Sequence, residues 1–168
     1  SYKLKEKIMR TMICMFDSGY TLPQGREVMS YFYPLEYGFD KLLEMCRELR
    51  DEVAGNADGD GVAGMDRLYF YESCIVLMEG IQKWIENYAA EALRLKAYTD
   101  DPQLKADYDK IHDCCSWIAH GQPRTFYEAI QMIQCMHTIV LNEDALSGMS
   151  PGRIGQVLYP WFEQDMAA

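Results

Sequence analysis

The stretch that decides the fold opens with Pro123-Arg124-Thr125-Phe126-Tyr127-Glu128-Ala129 and closes with Ser150-Pro151-Gly152-Arg153 and Leu158-Tyr159-Pro160-Trp161-Phe162-Glu163. Thr125 and Glu128 stand at the spacing of a capping box, in which hydroxyl and carboxylate each accept a free backbone N–H at a helix start. A helix is therefore expected from near Phe126 to about Leu141. Its apolar residues, Ala129, Ile130, Met132, Ile133, Met136, Ile139 and Val140, cover so much of the circumference that it should be buried on most sides. Ser150 before Pro151 is a second start signal, because serine caps and proline suits the first helical position, placing Arg153 in the first turn. The turn between the two helices, Asn142 to Met149, is where functional groups are expected, since loops held by rigid elements usually carry them.

Outward from this stretch, every other segment with a clear period is helical. Leu4, Ile8 and Met12 mark a helix from Lys3 to about Phe16, followed by a loop or short broken helix from Tyr20 to Pro34. Phe39, Leu42, Leu43, Cys46, Leu49 and Val53 give a helix from Leu35 to about Val53. Residues 55–64 hold four glycines and read as a mobile surface loop. Asn56, Asp58, Asp60 and Gly61 imitate the start of a calcium loop. Arg67, however, occupies the place of the bidentate glutamate, so a connector is the better reading. Met65 to about Tyr98 forms the longest helix, and Asp101-Pro102 starts another that ends near His120-Gly121. No segment alternates like a half-buried strand. The expectation is a single all-α unit over 1–168, an antiparallel helical bundle-like segment.

The totals exclude several function classes. A net charge of −10 leaves no clustered Lys and Arg for nucleic acid or an anionic membrane. No long uncharged apolar run spans a bilayer, and the start lacks a signal peptide's apolar core, so a cytoplasmic protein is expected. Six cysteines are then expected as reduced thiols. His112, Cys114, Cys115 and His120 form the one cluster that imitates metal ligands, but adjacent cysteines diverge on a helix and no CxxC partner exists, so no metal site is assigned. His137 reads as a satisfied core histidine, and Arg153 as one half of an ion pair that locks its loop.

The combination of Arg124-Thr125-Phe126 with Glu128 and Ala129, His137, Ser150-Pro151-Gly152-Arg153 and Leu158-Tyr159-Pro160 resembles the pyruvate formate-lyase-like glycyl radical enzymes, in particular their dehydratase and lyase branch. The resemblance extends back to Gly19-Tyr20-Thr21. It implies a helical part of an α/β barrel that precedes the loops bearing the radical cysteine and glycine. The chain shows neither radical motif, so the implied catalytic set within it is empty and the chain alone would not catalyse the reaction. The parent enzyme would need a glycyl radical installed by an activating enzyme that uses S-adenosylmethionine and an iron-sulfur cluster. Implied partners are the remainder of the enzyme or a complementary chain, that activating enzyme, and further copies in a homo-oligomer. Implied substrate-binding positions are Tyr20, with Met12 about two helical turns earlier, and Ser147 and Gly148. Tyr20 departs from the polar ionisable residue often found at its position and Ser147-Gly148 from larger polar pairs, which implies a substrate less charged or differently held; Gly155 also stands where the family has an aspartate. The alternative is an autonomous acidic helical domain that binds or assembles without catalysis.

Overall fold

The computed structural model describes residues 30–143 and 150–167, except for the side chains of 56–60, 142 and 143. The elements among them are α-helices: α1 (Phe32–Lys96), α2 (Pro102–Ile118), α3 (Phe126–Glu143) and α4 (Ile154–Ala167). The helix expected over 3–16 lies outside the described residues.

Two glycines divide α1. Gly38 (φ 72°) and Gly61 (φ 54°) leave helical geometry, so the element is a short lead followed by two long arms. The arms run antiparallel, joined by Asp40 with Gln82, Arg47 with Glu79 and Arg50 with Glu72. Phe39, Leu43, Cys46, Arg50 and Val53 alternate at four and three residues and face Leu68, Tyr71, Ile75, Met78, Gln82 and Ile85 on the other arm. That spacing keeps one seam of each helix against its partner, as in a coiled coil. The backbone corrects the ten-residue loop expected over 55–64: it is helical on both sides of Gly61, where the chain reverses. Only Gly61 needs a positive φ. Gly64 is buried, within a segment whose composition alone reads as a loop.

α2 starts as its sequence requires, with the Asp101 carboxylate accepting from the Gln103 and Leu104 N–H groups and Pro102 entering the first turn. It packs antiparallel to the second arm of α1, through Lys96 with Asp109 and His112 Nδ1 3.1 Å from the Ala89 carbonyl. The core gathers Leu35, Phe39, Ile85, Ala89, Cys115, Ile118, Met132, Met136 and Leu158 from all four helices. α3 contributes a broad buried face, but Ile130, Gln134 and Leu141 are exposed, so it is covered on three sides rather than all round.

α4 begins at Ile154, three residues later than the serine-proline signal suggests. Gly152 takes φ 62° and its N–H donates to Ser150 Oγ at 3.3 Å, which makes a local turn instead of a cap. Arg153 consequently precedes the helix. Its carbonyl accepts the first helical bonds, from Gln156 and Val157. Its side chain is exposed, and among the described residues no ion pair engages it.

Candidate functional site

The start of α3 is the best-connected point of the described fold. Thr125 Oγ1 accepts the Glu128 N–H at 3.2 Å, the expected half of the capping box. The other half is displaced by one residue: the Glu128 carboxylate accepts the N–H of Arg124 at 2.6 Å and also the Arg124 guanidinium. Glu128 is 6% exposed, so its charge is neutralised where it is buried. Arg124 lies over the Trp117 ring, 4.2 Å from its centroid. The hydrogen bond to Glu128 holds the guanidinium even more firmly protonated than usual.

α4 closes this junction from the other side. Its Asp165 accepts the Phe126 N–H at 2.8 Å, Trp161 Nε1 donates to the Pro123 carbonyl, and Gln164 donates to the Arg124 carbonyl. Phe126 and Phe162 stack edge to face at 5.7 Å. The sequence expectation missed Asp165, because a cap supplied from so far along the chain leaves no local pattern.

Beside the junction lies an open cleft of about 560 Å³, lined by Lys110, Asp113, Cys114, Thr125, Tyr127 and Glu128. Four of its six groups are engaged with one another. Lys110 sits over the Tyr127 ring at 4.0 Å, and Glu128 belongs to Arg124. Burial pushes the Cys114 thiol up to about 12, so it offers almost no thiolate at neutral pH. Cys115 is driven up by its hydrogen bond with Cys135 and by burial, whereas the same bond lowers Cys135.

The metal-like cluster of the sequence is dispersed. His112 faces Ala89, Cys114 and Cys115 are buried in the core, and His120 lies 3.0 Å from Asp40 and 3.2 Å from Glu86. Among the described residues no three His, Cys, Asp or Glu side chains are placed to hold a metal ion. Burial raises the Asp40 carboxyl, but hydrogen bonds from His120 and Gln82 outweigh it and hold the group below its ordinary range. His137 has a partner as a core histidine should: its Nδ1 lies 2.7 Å from the hydroxyl of Tyr31, which is buried. Met12, Tyr20, Ser147 and Gly148 lie outside the described residues.

A model of the pyruvate formate lyase-like family matches residues 2–168. The chain belongs to that family. It is 58% identical over 98% of its length to the 4-hydroxyphenylacetate decarboxylase glycyl radical subunit of Clostridioides difficile. It is 35% identical over 96% of its length to (2S)-3-sulfopropanediol dehydratase of Klebsiella oxytoca. Of each of these relatives it spans 18%. The fold matches the B12-independent glycerol dehydratase of Clostridium butyricum with a TM-score of 0.75 and 25% identity, covering 86% of this chain and 18% of that one. The helical bundle is thus one part of a glycyl radical enzyme.

The described cysteines do not fit the radical role. Cys114, Cys115 and Cys135 are buried within the helical core, and Cys46 and Cys74 are on the arms of α1, so none stands at the tip of a loop.

Proposed function

We propose that the chain is the helical wall of a glycyl radical decarboxylase whose substrate is an aryl-substituted acetate such as 4-hydroxyphenylacetate. One observation carries this reading: identity to the decarboxylase subunit is 58%, against 35% to the dehydratase, over nearly the same length of chain. The radical cysteine and glycine belong to other parts of the enzyme, and an activating enzyme using S-adenosylmethionine and an iron-sulfur cluster installs the radical. This segment's share is binding and enclosure. Tyr20, Met12, Ser147 and Gly148 supply pocket walls in this reading. An aromatic residue at 20 suits an aryl ring better than it suits a small diol. The enzyme is cytoplasmic and a homo-oligomer in this reading.

The test uses the natural polypeptide carrying these residues, with its activating enzyme, S-adenosylmethionine and a reductant in the absence of oxygen. A glycyl radical signal by electron paramagnetic resonance is expected, with 4-hydroxyphenylacetate and one proton converted to 4-methylphenol and carbon dioxide. A radical without turnover of any arylacetate would refute the substrate class. Absence of the radical would refute the enzyme reading itself.

A further inference from the structure

α3 outlasts the bundle that covers it. At about 100° per residue, Met132, Ile133, Met136, Ile139 and Val140 fall on one broad arc of the helix. The first three are buried in the core, yet Ile139 and Val140 are only half-buried and stand outside it. Glu128, Ala129, Met132, Ile133, Cys135 and Met136 are all buried, whereas from His137 to Leu141 no residue is. The run His137-Thr138-Ile139-Val140-Leu141 is too apolar for a helix end left in water. No Lys or Arg stands in the last turn, so the negative end of the α3 dipole lacks a cation from its own sequence.

The chain enters the described fold at this same place. Tyr31 is buried, its hydroxyl lies 2.7 Å from His137 Nδ1, and the two ring centroids are 6.4 Å apart. Residues 1–29 therefore arrive beside the half-bare end of α3. Within them Leu4, Ile8, Met12 and Met15 recur at helical spacing, and Lys3, Lys5, Lys7 and Arg10 face only Glu6 in the charge balance of the first ten residues. Residues 17–30 can span up to about 46 Å when extended, more than the roughly 27 Å length of α3, so the connection leaves the segment free to reach this end.

We propose that residues 3–16 dock as a helix on the C-terminal end of α3, laying their apolar side over Val140 and Leu141, which flank His137 on the helix surface, and bringing their basic residues to the negative end of the dipole. Connectivity and composition select this occupant. The other stretch that adjoins the end of α3, residues 144–149, offers only Leu146 and Met149 as large apolar side chains. Because residues 3–16 are tethered at Tyr31, docking is intramolecular and a small apolar patch suffices. The docking is independent of the arylacetate reading and of catalysis.

The experiment places a photoreactive side chain in the natural polypeptide carrying these residues, as Leu141→p-benzoylphenylalanine, a change at an exposed position. After illumination, peptide mapping by mass spectrometry should find position 141 joined to residues 3–16 of the same molecule. A link to any other part of the polypeptide, a link to a second molecule, or no link would overturn the proposal. Amide exchange supplies the second reading. Ile8→Lys, which sets a charge on the docked side, should speed exchange in 137–143 at least tenfold and leave 128–136 unchanged. Ile8→Ala should move the same peptides in the same direction, and it carries the test where lysine prevents folding. Exchange in 137–143 that ignores both substitutions would refute the docking.

Discussion

At Gly38 two demands meet on one residue. Its φ is 72°, and a Cβ there would lie 2.5 Å from both Gln122 N and Gly121 C, which are backbone atoms that cannot step aside. Beside it the Asp40 N–H donates to the His120 carbonyl at 2.9 Å, so the α2–α3 turn is locked against the root of the hairpin. Gly38→Ala should therefore cost more than about 3 kcal/mol, the sum of strain and displaced backbone. Gly61 has φ 54° but open space around it, so Gly61→Ala should cost only about 1–2 kcal/mol. Gly80 sits helical and open, so Gly80→Ala should stabilise by about 1 kcal/mol. Urea unfolding of the three variants checks the order, and equal losses at 38 and 61 would refute the backbone clash. Asp40 gives a second test at this scale. Its folded pKa is depressed below the ordinary 3.8, so its stabilising contribution is complete above that value and fades as pH falls through the folded pKa. Asp40→Asn should be less stable than the parent near neutral pH, and the gap should close below pH 3.8. A gap that widened in acid would contradict the assignment.

Among the elements, α3 owes its start to a residue from another helix. Asp165 of α4 places a carboxylate on the Phe126 N–H, where a negative charge also meets the positive end of the helix dipole. Asp165→Ala should cost about 1 kcal/mol, as loss of a helix cap does, and should loosen the contact of Trp161 and Gln164 with Pro123 and Arg124. Urea midpoints together with amide exchange at Phe126 measure both effects, and unchanged exchange would refute the cap. The sequence made the elements themselves legible wherever a local signal sufficed. Asp101-Pro102 and Thr125 with Glu128 are caps written within four residues, and both helices begin where those caps put them. It misled at 55–64 and at Pro151, where glycine and proline carry opposite messages depending on tertiary contacts. The backbone stays helical on both sides of Gly61, and the positive φ of Gly152 delays α4. The Tyr31–His137 bond, the His120 network and the Asp165 cap join residues far apart in the chain, and no local pattern announces them. The pocket walls proposed at 12, 20, 147 and 148 rest on the family resemblance and not on periodicity.

For the whole molecule, the decisive feature is the surface that the helices leave uncovered. On the second arm of α1, Tyr69, Phe70, Val76 and Leu77 are 62, 62, 67 and 58% exposed, and the helical period puts them on one side, with small Ser73 and Gly80 among them. Phe32, Tyr33 and Ile130 add further exposed apolar side chains. A self-standing soluble domain seldom presents so continuous an apolar face, whereas a part that spans 18% of its relatives would present one wherever the remainder packs. The 168-residue chain alone should bind a hydrophobic dye such as ANS and self-associate in dilute buffer. Replacing Tyr69, Val76 and Leu77 by Lys, Glu and Lys should lower dye binding and scattering several-fold while far-ultraviolet circular dichroism stays unchanged, because these side chains leave the core untouched. Introduced into the whole natural polypeptide, the same three charges would lie where apolar surface is covered, and there they should destabilise by several kcal/mol through unpaired buried charge. That pairing of outcomes separates the two architectures. A domain complete in itself would take the three charges without loss in both settings and would ignore the dye from the outset.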